Sequence, residues 1–206
     1  MYSKVSAELS HSEKYHLLIG GINPRPIAFV STISKSGIYN LAPFSFFNAM
    51  SAEPPIVVFG PACRDDAERL YKDTYINLVE TNECVIQMVS YEMREKMFLC
   101  AQDLAPNIDE FKISGLTPIA SDLVKAPRVA ESPFQMECKL LEMKNFGKFP
   151  GGGNMAICEV VKFHIDEKVF KPGTNRIDPL ITDFIARNGT AYYTRANADA
   201  MFEMKL

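Results

Sequence analysis

The chain has 206 residues, of which 47% are hydrophobic and 23% charged, with a formal net charge of −3. That length suits one domain, 1–206, with an ample core, and the balance is that of an ordinary soluble globular chain. There is no basic footprint for nucleic acid, no apolar run near the ~20 residues of a membrane span, and no apolar signal segment in the polar start from Met1 to His16. The expectation is a cytoplasmic protein that binds neither nucleic acid nor membrane.

Ser10 and Glu13 form an S-x-x-E capping box for a short helix to about Leu18, stopped by Gly20-Gly21. The stretch from Asn23 to Ser51 organises the rest of the chain. Ile27 to Ile33 is apolar and β-branched and reads as a strand; Lys35-Ser36-Gly37 turns it; Tyr39 to Ala42 returns. Pro43 is expected to break the return strand and hand over to a polar loop, Phe44 to Asn48. Pro54-Pro55 punctuates, and Ile56 to Gly60 reads as a buried strand.

Lys72-Asp73-Thr74 precedes a helix with Tyr75, Leu78 and Val79 on one face, for which Asp73 or Thr74 is a natural N-cap. Asn82-Glu83 ends it, and Cys84 to Ser90 is the next strand. Tyr91 to Ala101 is predicted helical, with Met93, Met97 and Phe98 as a packed face. Asp109 to Ser114 is a short helix with Gly115 as its cap. The last third is β: Phe134 to Leu140 alternates, Gly151-Gly152-Gly153 turns, and Met155 to Asp166 is a long strand. In that strand Ile157, Val161, Phe163 and Ile165 share a face with Glu159, which then needs solvent or a partner. Tyr192-Tyr193 closes the pattern. Antiparallel strands with inserted helices predict a mainly β fold, a barrel with helical elaborations.

Five cysteines, at long spacings and without C-x-x-C, read as reduced thiols used as small apolar residues. His11, His16 and His164 do not cluster in sequence, so a metal site has no support, and His164 reads as a half-exposed strand residue. Nucleophile-elbow, P-loop and Rossmann glycine patterns are absent. What remains is a set of hydrogen-bonding groups at strand ends and one helix start: Ser31, Thr32, Asn40, Ser45, Asn48, Lys72, Asp73 and Thr74, with Arg25 adding charge. With free N–H groups at a helix start they suit a phosphate; a solvated loop and a helix cap would use the same residues.

Several segments, in order, resemble the flavin reductase-like family, the FMN-binding split-barrel proteins. They are R-P-I-A-F-V-S-T from Arg25, N-L-A-P-F-S-F-F-N from Asn40, K-D-T-Y-I-N-L from Lys72, D-E-F-K-I-S-G-L-T-P from Asp109, P-R-V-A-E-S-P from Pro127 and E-V-V-K-F-H-I-D from Glu159. The resemblance implies a Greek-key split barrel, a homodimer with FMN near the subunit interface, and NAD(P)H or a redox partner protein as electron donor. It places Ser31-Thr32 and Ala42-Pro43-Phe44-Ser45 along the flavin, Asn48, Lys72, Asp73 and Thr74 at the ribityl-phosphate end, and Tyr193 towards the ring or partner subunit. Phe44, Phe46 or Phe47 would wall the dimethylbenzene edge. No catalytic residue is nominated, since a flavin carries its own chemistry. Related reductases carry a G-D-H-type signature where this chain reads Gly151-Gly152-Gly153-Asn154-Met155. The missing histidine favours the flavoredoxin-like branch, in which electrons come from another protein.

Overall fold

The computed structural model describes residues 1–204. In chain order the elements are α1 His11–Gly21, β1 Arg25–Pro26, β2 Ala28–Ile33, β3 Tyr39–Phe44, β4 Phe47–Ala52, β5 Pro55–Phe59, α2 Asp73–Thr81 and β6 Glu83–Gln87. There follow α3 Arg94–Leu99, α4 Glu110–Ser114, β7 Pro118–Ile119, β8 Arg128–Val129, β9 Phe134–Asn145, β10 Asn154–Ile165, α5 Pro179–Thr182, β11 Phe184–Asn188 and β12 Tyr192–Ala196. Seven strands form one antiparallel sheet in the order β3-β2-β6-β9-β10-β5-β4. Consecutive strands β3 and β4 lie at its two edges, joined only by Ser45-Phe46, so the sheet must curl to bring them together. The Gly60 N–H donates to the Phe46 carbonyl (2.8 Å) at this seam. This is the mainly β split barrel that the sequence suggested. β1, β11 and β12 form a small second sheet.

β2 explains the arrangement. Its Ala28 and Val30 face the barrel interior with Phe59, Leu78, Cys84, Ile86, Cys138 and Cys158. Its Phe29 faces outward into a second core with Leu41, Met97, Phe111 and Ile185. A strand covered on both faces reads as a continuous apolar run, as this one does. The outer core binds α3, α4 and β11 to the barrel, and the space left between them becomes a cleft.

Several boundaries differ from the sequence reading. Pro43 does not end β3, which runs on to Phe44. β3 is an edge strand, and the Leu41 N–H points away from β2 to Glu110 (3.0 Å). Two residues on, Pro43 lies on the same outward side, so its missing N–H costs no ladder bond. The expected polar loop shrinks to Ser45-Phe46, because Phe47 to Ala52 is β4. The apolar stripe of β10 points outward: Val161 and Phe163 are exposed, while Ala156, Cys158 and Val160 fill the interior. Inside the barrel these small residues fit against Phe59 and Phe44, and the register shifts at Ile157/Cys158 and Val160/Lys162. The Met93 and Met97 face is buried as expected, but Phe98 is exposed, and so is Val79 of α2. The capping box at Ser10–Glu13 and the left-handed Gly115 after α4 (φ 65°) are present as expected.

Candidate functional site: a cationic cleft beside the edge strand

A cavity of about 300 Å³ opens between β3, the start of α2, the end of α3 and the β11–β12 hairpin. α2 is fixed there by two rungs. The Asn40 amide donates to Thr74 Oγ1 (2.9 Å), and the Asn77 amide donates to Thr32 Oγ1 (3.0 Å). Leu78, fully buried in the barrel core, anchors the same helix from below. The N-cap is Lys72, one residue earlier than expected, and no side chain caps the helix start. Its first N–H groups and the positive end of its dipole therefore remain available at the cavity.

Three cations line this space. Arg64 is spent on protein: its Nη2 donates to Asp73 (2.9 Å), its Nε to Asp103 (2.9 Å) and its Nη1 to the Tyr71 carbonyl (2.5 Å). Burial opposes the guanidinium charge, but Asp103 and Asp73 more than offset it and hold its pKa above the usual value. Arg64 in turn holds the Asp103 carboxyl below its ordinary range.

Lys72 is different. It is half-buried, its side chain makes no hydrogen bond or ion pair among the described residues, and its ammonium lies 5.5 Å over the Phe44 ring. Burial and then repulsion from Arg64 lower its pKa. Arg187 of β11 donates through Nη2 to the Thr190 carbonyl (2.7 Å), but its buried Nε has no partner. Buried donors are nearly always satisfied, so the bare Arg187 Nε, with the unpaired Lys72 ammonium and an uncapped helix start beside it, is an arrangement that suits an anion. Glu110 also lines the cavity, 7% exposed, with burial pushing its carboxyl up to about 7.

Of the residues nominated from sequence, Asn40, Ala42, Pro43, Ser45, Lys72, Asp73, Thr74 and Tyr193 line the cleft. The structure does not bring the other five into its wall. Arg25 is buried and donates to the carbonyls of Ile19 (2.6 Å), Ile22 (3.0 Å) and Gly189 (3.1 Å), tying α1 to the β11–β12 turn. The Ser31 hydroxyl donates to the Pro127 carbonyl, and Thr32 is buried under Asn77. Phe44 is a core residue beneath Lys72. Asn48 is exposed on β4 and accepts from the Ala49 N–H (2.8 Å).

Sequence reasoning missed Arg64, Asp103, Glu110 and Arg187. Only Glu110 had a local signal, as an acid within the D-E-F-K-I-S-G-L-T-P segment that resembles the family. At the Gly151 turn, where the chain lacks the expected histidine, His11 from α1 packs instead: a Cβ on Gly151 would lie 2.7 Å from its Nε2.

His164 is half-buried, with Nε2 2.6 Å from the fully buried Glu137 carboxylate. Asp122 completes a triad of possible metal ligands. Glu137, however, already accepts the N–H groups of Asp122 (2.8 Å), Leu123 (2.6 Å) and Val124 (3.1 Å). Burial alone would raise its pKa; these N–H groups and His164 bring it below the ordinary carboxylate value. Asp122 is paired with Lys162 (2.5 Å). These contacts give the triad a structural role, pinning the 121–124 turn to the barrel. All five cysteines are free and buried.

Residues 20–193 match the model of the flavin reductase like domain. An uncharacterized protein of Aquifex aeolicus is 48% identical over 126 residues, 61% of this chain and 63% of that protein. The crystal structure of nitrilotriacetate monooxygenase component B from Bacillus cereus superposes with a TM-score of 0.90 at 31% identity, over 100% of this chain and 98% of that one. Flavoredoxin of Desulfovibrio vulgaris (Miyazaki F) shares the fold, with a TM-score of 0.74 at 20% identity, over 89% of this chain and 91% of that one. The chain belongs to the flavin reductase-like family of split-barrel proteins.

Proposed function

We propose that the chain binds FMN in this cleft and acts as a flavin-dependent oxidoreductase. It would pass hydride or electrons between NAD(P)H, or a redox partner protein, and the bound flavin or a small acceptor. The observation that carries the reading is the pair of unsatisfied cationic donors, Lys72 Nζ and Arg187 Nε, beside the uncapped start of α2. A phosphate supplies the charge and the acceptors that these groups lack. Ala42 and Pro43 of β3, with Ser45 just after it, give the cofactor a backbone edge, and Asn40, Asp73, Thr74 and Tyr193 complete the walls. The flavin supplies the redox chemistry; the chain binds it, orients it and excludes water.

A second reading is an FMN-carrying electron-transfer protein with no nicotinamide site of its own. It is favoured by the absence of a histidine between Gly151 and Met155. One experiment divides the two. The purified protein is reconstituted with FMN and titrated anaerobically with NADH and NADPH. Bleaching of the flavin absorption supports the enzyme; a yellow protein left unbleached supports the carrier; failure to take up FMN removes both.

The outward stripe of Val161 and Phe163, with exposed Phe46 and Met50, is the surface we assign to a homodimer. Sedimentation equilibrium of a monomer would remove that assignment. Free thiols throughout suit a reducing, cytoplasmic compartment. Among the described residues no helix is long and apolar enough to cross a membrane. The full chain, 1–206, is taken as one functional domain.

A further inference from the structure

The cleft wall carries an acid that the phosphate site does not use. Glu110 opens α4 directly after its N-cap, Asp109. Its Oε2 accepts the outward Leu41 N–H of edge strand β3 (3.0 Å). The carboxyl also accepts its own backbone N–H, and Glu110, 7% exposed, lines the cavity. A carboxyl has about four lone-pair sites, so two backbone N–H partners leave capacity for a ligand from the cavity.

Its surroundings favour the neutral acid. Burial is the main cause, and Asp73 from the start of α2 and Asp109 from its own cap add negative charge. The C-cap of α3 contributes the Cys100 thiol, Sγ 3.9 Å from the Glu110 carbonyl and itself pushed up to about 12 by burial. β3 brings the Asn40 amide and the Tyr39 ring, which packs on Phe111 at 5.9 Å. Lys112 of α4 is turned to Asp109 (3.8 Å), and the cleft cation Arg64 is held by Asp73 and Asp103. Lys72 and Arg187 also line the cleft.

We propose that Glu110 holds a proton while an anionic ligand fills the cleft, and donates it in a hydrogen bond to that ligand. The inference rests on the flavin reading and makes the ligand class a phosphate-bearing flavin. An anion brought next to a half-ionised carboxyl raises its proton affinity, so binding draws a proton from solvent and release returns it. No electron moves in this step.

FMN is the probe, with the full-length wild-type protein and Glu110→Gln, which keeps an acceptor for the Leu41 N–H. Wild-type affinity is expected to weaken about fivefold between about pH 7 and about pH 9, and the variant's by less than about twofold. Calorimetry in two buffers of different ionisation heat should count more protons taken up by the wild type than by the variant. Equal pH slopes and equal proton counts would overturn the proposal while leaving the flavin reading intact. A wild type that binds no FMN would overturn both. If the variant does not fold, the proton count of the wild type alone decides: uptake should peak at about pH 7 to 8, and no such peak would overturn the proposal.

Discussion

The barrel interior and the cleft meet at β3 and obey different rules. The interior holds Phe44, Phe59, Leu78, Ile86 and three thiols, packed as one apolar cluster. The cleft holds Arg64, Lys72, Arg187, Asp73, Asp103 and Glu110, and only part of this set is internally satisfied. Arg64 closes on two carboxylates; Lys72 and Arg187 Nε close on nothing among the described residues. Uniform satisfaction marks a region whose work is stability. Selective dissatisfaction, confined to donors that face one cavity, marks a region whose missing partner arrives from solution.

The contrast can be broken from either side. Leu78→Ala empties a fully buried position and should lower stability by ~2–5 kcal/mol in urea unfolding. Because Leu78 also anchors α2, FMN affinity should fall with it. A full loss of stability without any change in affinity would mean that the two regions are energetically independent.

Glu110 gives the next effect. Its carboxyl ionises near the ordinary 4.5 when unfolded and at about 7 when folded, so the folded state binds its proton more tightly. Its contribution is therefore fully present below the unfolded value and is lost as pH rises through that window, by up to ~3 kcal/mol. Between about pH 5 and about pH 8, Glu110→Gln should flatten the decline of Tm that the wild type shows. Identical declines would place the ionisation elsewhere.

Lys72→Ala should weaken FMN binding by roughly 10- to 100-fold, the range for one charge-assisted contact, with unfolding little changed. The smallest effect is expected at Phe98, which the helical pattern assigned to a packed face but which is exposed. Phe98→Ser should shift stability by less than ~0.5 kcal/mol; a larger loss would mean that this face is covered in solution.

Features made by neighbours in sequence were legible. The Ser10–Glu13 box, the Gly115 cap, the Lys72–Thr74 helix start and the β2 strand all depend on local spacing. β10 misled because apolar residues occupy both of its faces, and only the narrow interior decides that the small ones turn in. Pro43 misled because whether it costs a bond depends on β3 being an edge strand, a property of the whole sheet. Among site residues, those on β3 and α2 came from contiguous motifs. Arg187 reaches the cleft from β11, and Asp103 reaches Arg64 from the loop after α3. Neither has a local pattern, since each is defined by a partner far along the chain. Ser31 and Arg25 were polar residues in the right segments, yet the Ser31 hydroxyl and both Arg25 Nη groups are taken by backbone carbonyls, and Arg25 Nε reaches the cleft only through the Ser45 hydroxyl (3.5 Å).

The most direct test compares FMN with riboflavin, which differs from it by the phosphate alone, in parallel fluorescence titrations of wild type and Lys72→Ala/Arg187→Ala. The wild type should bind FMN at least about tenfold more tightly than riboflavin, and the double variant should bind the two alike. Equal wild-type affinities for FMN and riboflavin would contradict a phosphate site at Lys72, Arg187 and the start of α2.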